Sequence, residues 1–182
     1  GETRITKLID KGAEKGAIAM VERRIVDSEG THYADVVATI FLRGDGGFGG
    51  SPDGAPVPHQ VPSNRAPDVS VNLPTAKNSA MIYRLSGDLN PLHIDPDVAH
   101  AAGFEAPILH GLATYGVAGR ALLSALVDND PSRVRRMDVR FSRPVQPGET
   151  IRTDIWIESD GKAAFQSTSV ERNVTVLLKG YF

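Results

Sequence analysis

A carboxylate and an imidazole stand five positions apart in the run Tyr83-Arg84-Leu85-Ser86-Gly87-Asp88-Leu89-Asn90-Pro91-Leu92-His93. Gly87 and Pro91 break any regular element there, so Asp88 and His93 belong to an irregular loop. Brought together in a loop, the two side chains can hold one water between them and share its protons. That is the reach and pKa range that general acid–base catalysis requires. The same residues have an ordinary reading as well, since Asp and Asn favour turns and a lone histidine is more often structural. Loops carry function beyond their share of the chain, which keeps the catalytic reading open.

A second feature lies downstream, where Pro107-Ile108-Leu109-His110-Gly111 leads into a predicted helix. A helix N-terminus offers unpaired N–H groups and a partial positive charge. With glycine there, no side chain blocks approach, and the Gly111 N–H is a candidate to receive a developing oxyanion. Equally, Gly111 serves tight packing while His110 caps or packs beside it. His93, Asp95 and His100 also offer ligand atoms. Asp95 falls at a proline-marked helix start and no second ligand cluster accompanies them, so no metal site is expected.

The elements that must position these groups are legible in the periodicity. Ala34, Val36, Ala38, Ile40 and Leu42 alternate as in a half-buried strand. Before them come a strand over Ala17 to Val26, a turn at Asp27-Ser28-Glu29-Gly30, and a short strand from Arg4 to Ile9 that ends at Asp10-Lys11-Gly12. A helix-less block of strands makes a poor core and must pack on something else. Residues 44–68 then hold six glycines and five prolines and read as a flexible surface linker. Within them Gly44-Asp45-Gly46-Gly47-Phe48-Gly49 fits the dinucleotide pattern G-x-G-x-x-G, but Ser51-Pro52-Asp53-Gly54 follows, where no helix can start to face a pyrophosphate.

Beyond the linker the pattern predicts a helix over residues 78–85 and a second short helix through Ala102, opened by Asp95 as N-cap and Pro96 in its first turn. A third, over residues 110–127, is apolar on all sides and therefore buried; Gly111, Gly116 and Gly119 in it point to close approach of another backbone. Four strands finish the chain, over residues 133–143, 150–159, 162–172 and 174–181, with turns at Pro147-Gly148 and Asp160-Gly161. A long buried helix followed by antiparallel strands suggests a sheet wrapped around that helix, an α+β layout.

Composition bounds the rest. The chain has 182 residues, 41% hydrophobic and 23% charged, with a formal charge of −2. This is globular composition, and without a dense basic block nucleic acid is not the expected partner. No cysteine is present, which excludes disulfides and thiolate chemistry and favours a reducing compartment. No basic-then-apolar leader and no bilayer-length apolar run is seen, so neither export nor a membrane is expected. The chain opens Gly-Glu-Thr, and a processed or truncated product is the expectation. Asn173-Val174-Thr175 has the glycosylation pattern, a tripeptide common by chance. Arg133, Arg135, Arg136, Arg140 and Arg143 read as a solvated basic face; a share in binding phosphate is the alternative.

The run from Tyr83 to His93, with Ile94-Asp95-Pro96 and Pro107-Ile108-Leu109-His110-Gly111-Leu112, resembles the (R)-specific enoyl-CoA hydratases of the MaoC-like hot-dog superfamily. It is most similar to the two-repeat hydratase 2 type of peroxisomal multifunctional enzymes. The resemblance extends through Gly46-Gly47-Phe48-Gly49-Gly50, Asn64-Arg65-Ala66-Pro67-Asp68, Val139-Arg140-Phe141 and Pro147-Gly148-Glu149-Thr150, and so covers essentially the whole chain. It implies an α+β double hot-dog fold: a first repeat represented by strands in residues 1–43, a linker over 44–68 and a complete catalytic hot dog over 69–182. Asp88 and His93 would be the catalytic pair that adds water to a trans-2-enoyl-CoA, giving the (R)-3-hydroxyacyl-CoA. Asn90 would order their loop and the Gly111 N–H would polarise the thioester carbonyl. Lys11, His110 and Phe141 would bind substrate, Lys11 at the CoA part. Neither a metal nor a redox cofactor is implied.

One departure accompanies the resemblance. Two-repeat relatives have a central helix in the first repeat, and this chain shows only that repeat's strands. The missing portion is expected on another polypeptide, cleaved away, or outside the sequence. A homodimer or an assembly with that portion is the expected partner state, in the cytoplasm or, in a eukaryote, the peroxisome. Two alternatives stand beside the hydratase: a dehydratase running in reverse on an acyl-carrier thioester, and a non-catalytic acyl-CoA binding subunit. Retention of both Asp88 and His93 argues against the binder, and the Asp88–Asn90–His93 loop argues against a thioesterase.

Overall fold

A computed structural model describes residues 1–159 and 161–182. The chain divides into two compact units, Gly1–Val57 and Pro58–Phe182. The first is a three-stranded antiparallel meander of β1 (Glu2–Asp10), β2 (Ala17–Val26) and β3 (His32–Leu42). The bounds of β2 are those the apolar run predicts, and β1 is longer than its predicted core. At the β2–β3 turn Gly30 has φ +85°, a conformation glycine adopts without a Cβ clash, and its N–H donates to the Asp27 carbonyl at 3.3 Å.

The alternation in β3 does not mark a buried face. Val36 and Ile40 are 50% and 44% exposed, and Leu42 alone in β3 is partly covered. The unit contains no helix to lie across its sheet, and its burial gathers instead at the Ile9, Ala17 and Ala19 end. Residues 44–68 hold neither helix nor strand, as a Gly/Pro-rich stretch should. Their first part is nonetheless not a loose connector, because backbone N–H groups of Gly47, Gly49 and Gly50 are bound by the Asp10 carboxylate.

The second unit is a five-stranded antiparallel sheet in the order β4-β6-β7-β8-β5, built from β4 (Val69–Pro74), β5 (Asp138–Phe141), β6 (Thr150–Ile157), β7 (Ala163–Ser169) and β8 (Val174–Tyr181). Helices α1 (Ser79–Arg84), α2 (Pro96–Ala101) and α3 (Gly111–Leu126) accompany it. Helix α3 lies against β4 and β6. The core gathers Ala118 and Leu122 of α3 with Ile151, Ile155, Phe165, Val176 and Leu177 of the sheet, none more than 1% exposed. Side chains of this size contribute roughly 1.5–3 kcal/mol each on full burial. This is the α+β hot-dog layout expected of the chain.

Three expectations are corrected here, and one strand was not expected. Helix α3 is not buried all round: Leu112 is exposed, and the buried stripe is Thr114, Ala118, Ala121 and Leu122, the face toward the sheet. Its glycines do not admit another backbone, since a Cβ at Gly111 would meet the Phe141 ring, one at Gly119 the Met137 thioether, and one at Gly116 nothing within 4 Å. The strand expected over residues 133–143 is shortened to β5, because Pro131–Arg133 forms a 3-10 turn and the β5–β8 register shifts between Asp138 and Arg140. Strand β4 has no counterpart in the sequence reading; only alternate residues of this edge strand are partly covered, too short a pattern to stand out. The turn expected at Asp160-Gly161 falls on Asp160, outside the described residues.

Candidate active site

The Asp88 and Asn90 side chains are each fixed by a short-range bond that their own sequence dictates. Asp88 Oδ1 accepts from the Asn90 N–H at 3.2 Å, an Asx turn of the kind Asp favours. Asn90 Oδ1 accepts from the Leu92 N–H at 3.1 Å and caps the 3-10 turn Pro91–His93, which begins at the proline. Arg84, in the last turn of α1, donates from Nη1 to the Leu89 carbonyl at 2.7 Å and ties the loop back to the helix. Asp95 accepts from the Asp97 and Val98 N–H groups and opens α2 as predicted.

Long-range contacts then bring the groups together. His93 Nδ1 lies 2.8 Å from the Ile108 carbonyl. A carbonyl only accepts, so Nδ1 carries the hydrogen and Nε2 is left with its lone pair free. His110, the N-cap residue of α3, is 1% exposed, and its ring stacks on His93 with centroids 3.8 Å apart and planes at 28°. The Tyr83 ring of α1 stands 4.7 Å from the His110 ring. His110 Nε2–H donates to the Asp88 carbonyl at 3.3 Å, while its Nδ1 is buried without a partner. Burial and the neighbouring His93 push the His110 pKa below its ordinary value, against the opposing pull of Asp88, so this ring is neutral near pH 7.

Asp88, His93 and His110 each bring one carboxylate or imidazole atom within 4.8 Å of the others. These are the residues that could hold a cation, and one ring nitrogen of each histidine is already engaged by a main-chain carbonyl. His100 faces the Glu105 carbonyl through Nε2 at 2.9 Å, so His93, Asp95 and His100 are each engaged elsewhere.

Gly111 is the first residue of α3, where the N–H has no acceptor within the helix, and it is exposed. Phe141, 51% exposed at the end of β5, places its ring 3.3 Å from where a Cβ on Gly111 would lie. Asp88, Asn90, His93, His110, Gly111 and Phe141 thus belong to the second unit. Lys11 belongs to the first, in the turn after β1, with Nζ donating to the Pro52 carbonyl at 2.6 Å. Sequence reasoning missed the parts played by Tyr83, Arg84 and the Ile108 carbonyl, and saw His110 only as a cap or packing group. The Arg84 bond spans only five residues; the contacts of Tyr83 with His110 and of Ile108 with His93 join stretches 15 or more residues apart and leave no local signal.

A family model for the MaoC-like domain matches residues 59–179. The chain belongs to the MaoC-like domain family. Within that family it is 44% identical, over 98% of its length, to a Dictyostelium discoideum protein named probable enoyl-CoA hydratase 2, of which it covers 61%. It is 46% identical over 91% of its length to 3-hydroxyacyl-thioester dehydratase Y of Mycobacterium tuberculosis, covering 57% of that protein. The solved MaoC-like dehydratase of Phytophthora capsici superposes with a TM-score of 0.90 at 39% identity, covering 99% of this chain and 60% of that one. This MaoC-like chain therefore spans about three-fifths of the length of the relatives it matches.

Proposed function

We propose that the protein is a hydro-lyase, an (R)-specific enoyl-CoA hydratase that adds water to a trans-2-enoyl-CoA. The observation that carries this reading is the cluster of Asp88, His93 and His110, with side-chain atoms within 4.8 Å of one another, and the exposed Gly111 at the start of α3. A water held by the pair gives up one proton to it as the water oxygen bonds to C3 of the enoyl group. The electron pair of the double bond moves toward the thioester, whose oxygen takes the developing charge at the Gly111 N–H. The enolate then collapses, and C2 takes a proton from the pair. One water is consumed, the pair returns to its starting state, and no redox or metal chemistry enters the scheme.

In this reading Asn90 and the Ile108 carbonyl orient the two catalytic groups, His110 and Phe141 lie against the substrate, and Lys11 contacts the CoA part. The relatives named enoyl-CoA hydratase 2 and 3-hydroxyacyl-thioester dehydratase support a thioester substrate and both directions of one reaction. Dehydration uses the same residues by microscopic reversibility. Among the described residues no helix is long and apolar enough to cross a membrane, and relatives named as peroxisomal support a peroxisomal setting. The test is loss of the conjugated enoyl-thioester absorbance with crotonyl-CoA and a longer trans-2-enoyl-CoA, beside an Asp88→Asn control. Turnover that vanishes in the control is expected. Turnover that survives it, or CoA binding by the wild type without turnover, would overturn the hydratase assignment.

A further inference from the structure

The glycine-rich run that fits a dinucleotide pattern is occupied from within. Asp10, the last residue of β1 and 6% exposed, accepts N–H bonds from Gly12 at 2.8 Å and Gly47 at 2.7 Å on Oδ1. On Oδ2 it accepts from Gly49 at 2.7 Å and Gly50 at 3.3 Å. Successive backbone N–H groups of this kind make an anion-binding nest, and here the anion is the chain's own carboxylate. The glycines follow from that geometry. Gly47 and Gly49 have φ of +88° and +81°, and a Cβ at Gly46 would collide with the Gly12 and Gly16 carbonyl oxygens.

What the clamp fixes most directly is the next residue. The Asp10 N–H donates to the Ser51 carbonyl at 3.1 Å, the Lys11 N–H to the Gly16 carbonyl at 3.0 Å, and Lys11 Nζ to the Pro52 carbonyl at 2.6 Å. The ammonium of Lys11 is thus set by the loop that Asp10 closes, and its backbone by the β1–β2 turn, where Asp10 also binds the Gly12 N–H. An ammonium has three donors on a flexible four-carbon stem. The Pro52 contact orients it and leaves donors over. Lys11 lines a shallow depression of about 560 Å³ together with Glu14, Lys15, Phe41 and Arg43, where three cations face one carboxylate.

We infer that Asp10 is a positioning residue for CoA binding: by closing the glycine-rich loop it holds Lys11 where the ammonium meets the CoA part of the substrate. The inference rests on the reading of Lys11 as a CoA contact. Backbone hydrogen bonds from Gly47 and Gly12, opposed by burial and supported by Gly49 and Gly50, hold the Asp10 carboxyl below its ordinary pKa, so it is an anion throughout the neutral range.

The test is a double-mutant cycle on the full chain, Asp10→Asn, Lys11→Ala and the two together. It reads the Kd for free CoA by calorimetry and kcat with crotonyl-CoA. Lys11→Ala is expected to weaken CoA binding about tenfold, the loss of one charge-assisted contact, with kcat retained. Asp10→Asn turns an amide toward two of the N–H donors and is expected to weaken binding about three- to tenfold, again with kcat retained. On the Lys11→Ala background it should add nothing. Gly49→Ala, which strains the loop and leaves both side chains in place, should reproduce Asp10→Asn and serves if that variant does not fold.

Additive effects, or CoA affinity unchanged in Asp10→Asn and Gly49→Ala, would overturn the inference. An unchanged Kd in Lys11→Ala would overturn the Lys11 reading and this inference with it. Because the cycle reads binding, it still decides the role of Asp10 in a protein that binds CoA without hydrating a thioester.

Discussion

The His110 and His93 rings lie stacked with centroids 3.8 Å apart, and the buried one of the pair is bound to the main chain of Asp88. One neutral imidazole therefore touches both members of the proposed acid–base pair, packing on the ring of one and bonding to the main chain of the other. It also sits at the N-cap of α3, immediately before the Gly111 N–H. The three elements of the proposed hydration are thereby joined through a single side chain.

His110→Phe keeps an aromatic face for the stack and removes the Nε2–H donor to the Asp88 carbonyl. The expected result is about a tenfold fall in kcat, the loss of a hydrogen bond of roughly 1.4 kcal/mol, with KM little changed. Steady-state kinetics on crotonyl-CoA would show it. A variant as active as wild type would mean that Asp88 is placed without His110.

The same residue makes stability pH-dependent in a stated direction. Burial and His93 lower the folded-state pKa of His110 below the ordinary histidine value of about 6.5, so the unfolded chain binds the proton more readily. Stability from keeping His110 neutral is complete above that value and is lost as pH falls from it toward the lowered folded pKa, at a slope of at most about 1.4 kcal/mol per pH unit. Urea midpoints measured downward from pH 7.5 should fall in wild type and fall less in His110→Phe. Equal slopes in both proteins would reject the argument.

Asp88→Asn and His93→Gln are expected to lower kcat by about 10²–10⁴-fold, the range for losing a general acid or base. Asp88 is exposed and His93 half-buried, so thermal midpoints should move little. Inactive proteins that are also unfolded by circular dichroism would assign these residues to structure instead.

How much of this could be read from the chain depends on the range of the contact. Helix α2 was legible because Asp95 and Pro96 are neighbours, and β2 and β8 because their apolar runs stop at turn residues. The loop of Asp88, Asn90 and His93 announced itself for the same reason: its bonds join residues two apart. The clamp on Asp10 spans 37 to 40 residues to its loop partners, and the His93–Ile108 bond spans 15; neither has a local pattern. The exposed β3 shows the opposite failure, since alternation records what a strand could bury and not what lies over it.

Gly111→Ala tests the mouth of the site. The new methyl would lie 3.3 Å from Phe141 Cε1, and that half-exposed ring can swing aside at little cost in stability. The methyl then stands where the thioester oxygen must approach the N–H, and kcat/KM should fall about tenfold or more. Phe141→Leu alone should mainly raise KM. An unimpaired Gly111→Ala enzyme would remove the Gly111 N–H from the mechanism.

The last prediction concerns a brace behind the site. Burial would raise the Glu149 carboxyl, but Arg172 and the Gln146 N–H outweigh it and hold it below its ordinary range. Arg172 binds Glu149 through Nε and Nη2 and also donates to the Pro144 carbonyl at 2.6 Å. The bend so fixed presents the Val145 carbonyl, which accepts from the Leu109 N–H at 2.7 Å, one residue before His110. Arg172→Ala leaves a buried carboxylate unpaired and should destabilise by about 3 kcal/mol, with kcat falling as His110 loses its anchor. Replacing both partners, Glu149→Leu with Arg172→Met, should recover most of the stability, since no charge is then stranded, yet not the activity, because the Pro144–Gln146 bend is no longer held. Denaturant midpoints and kcat measured on the same preparations separate the two effects; activity that returned with stability would show that the pair braces the fold and not the site.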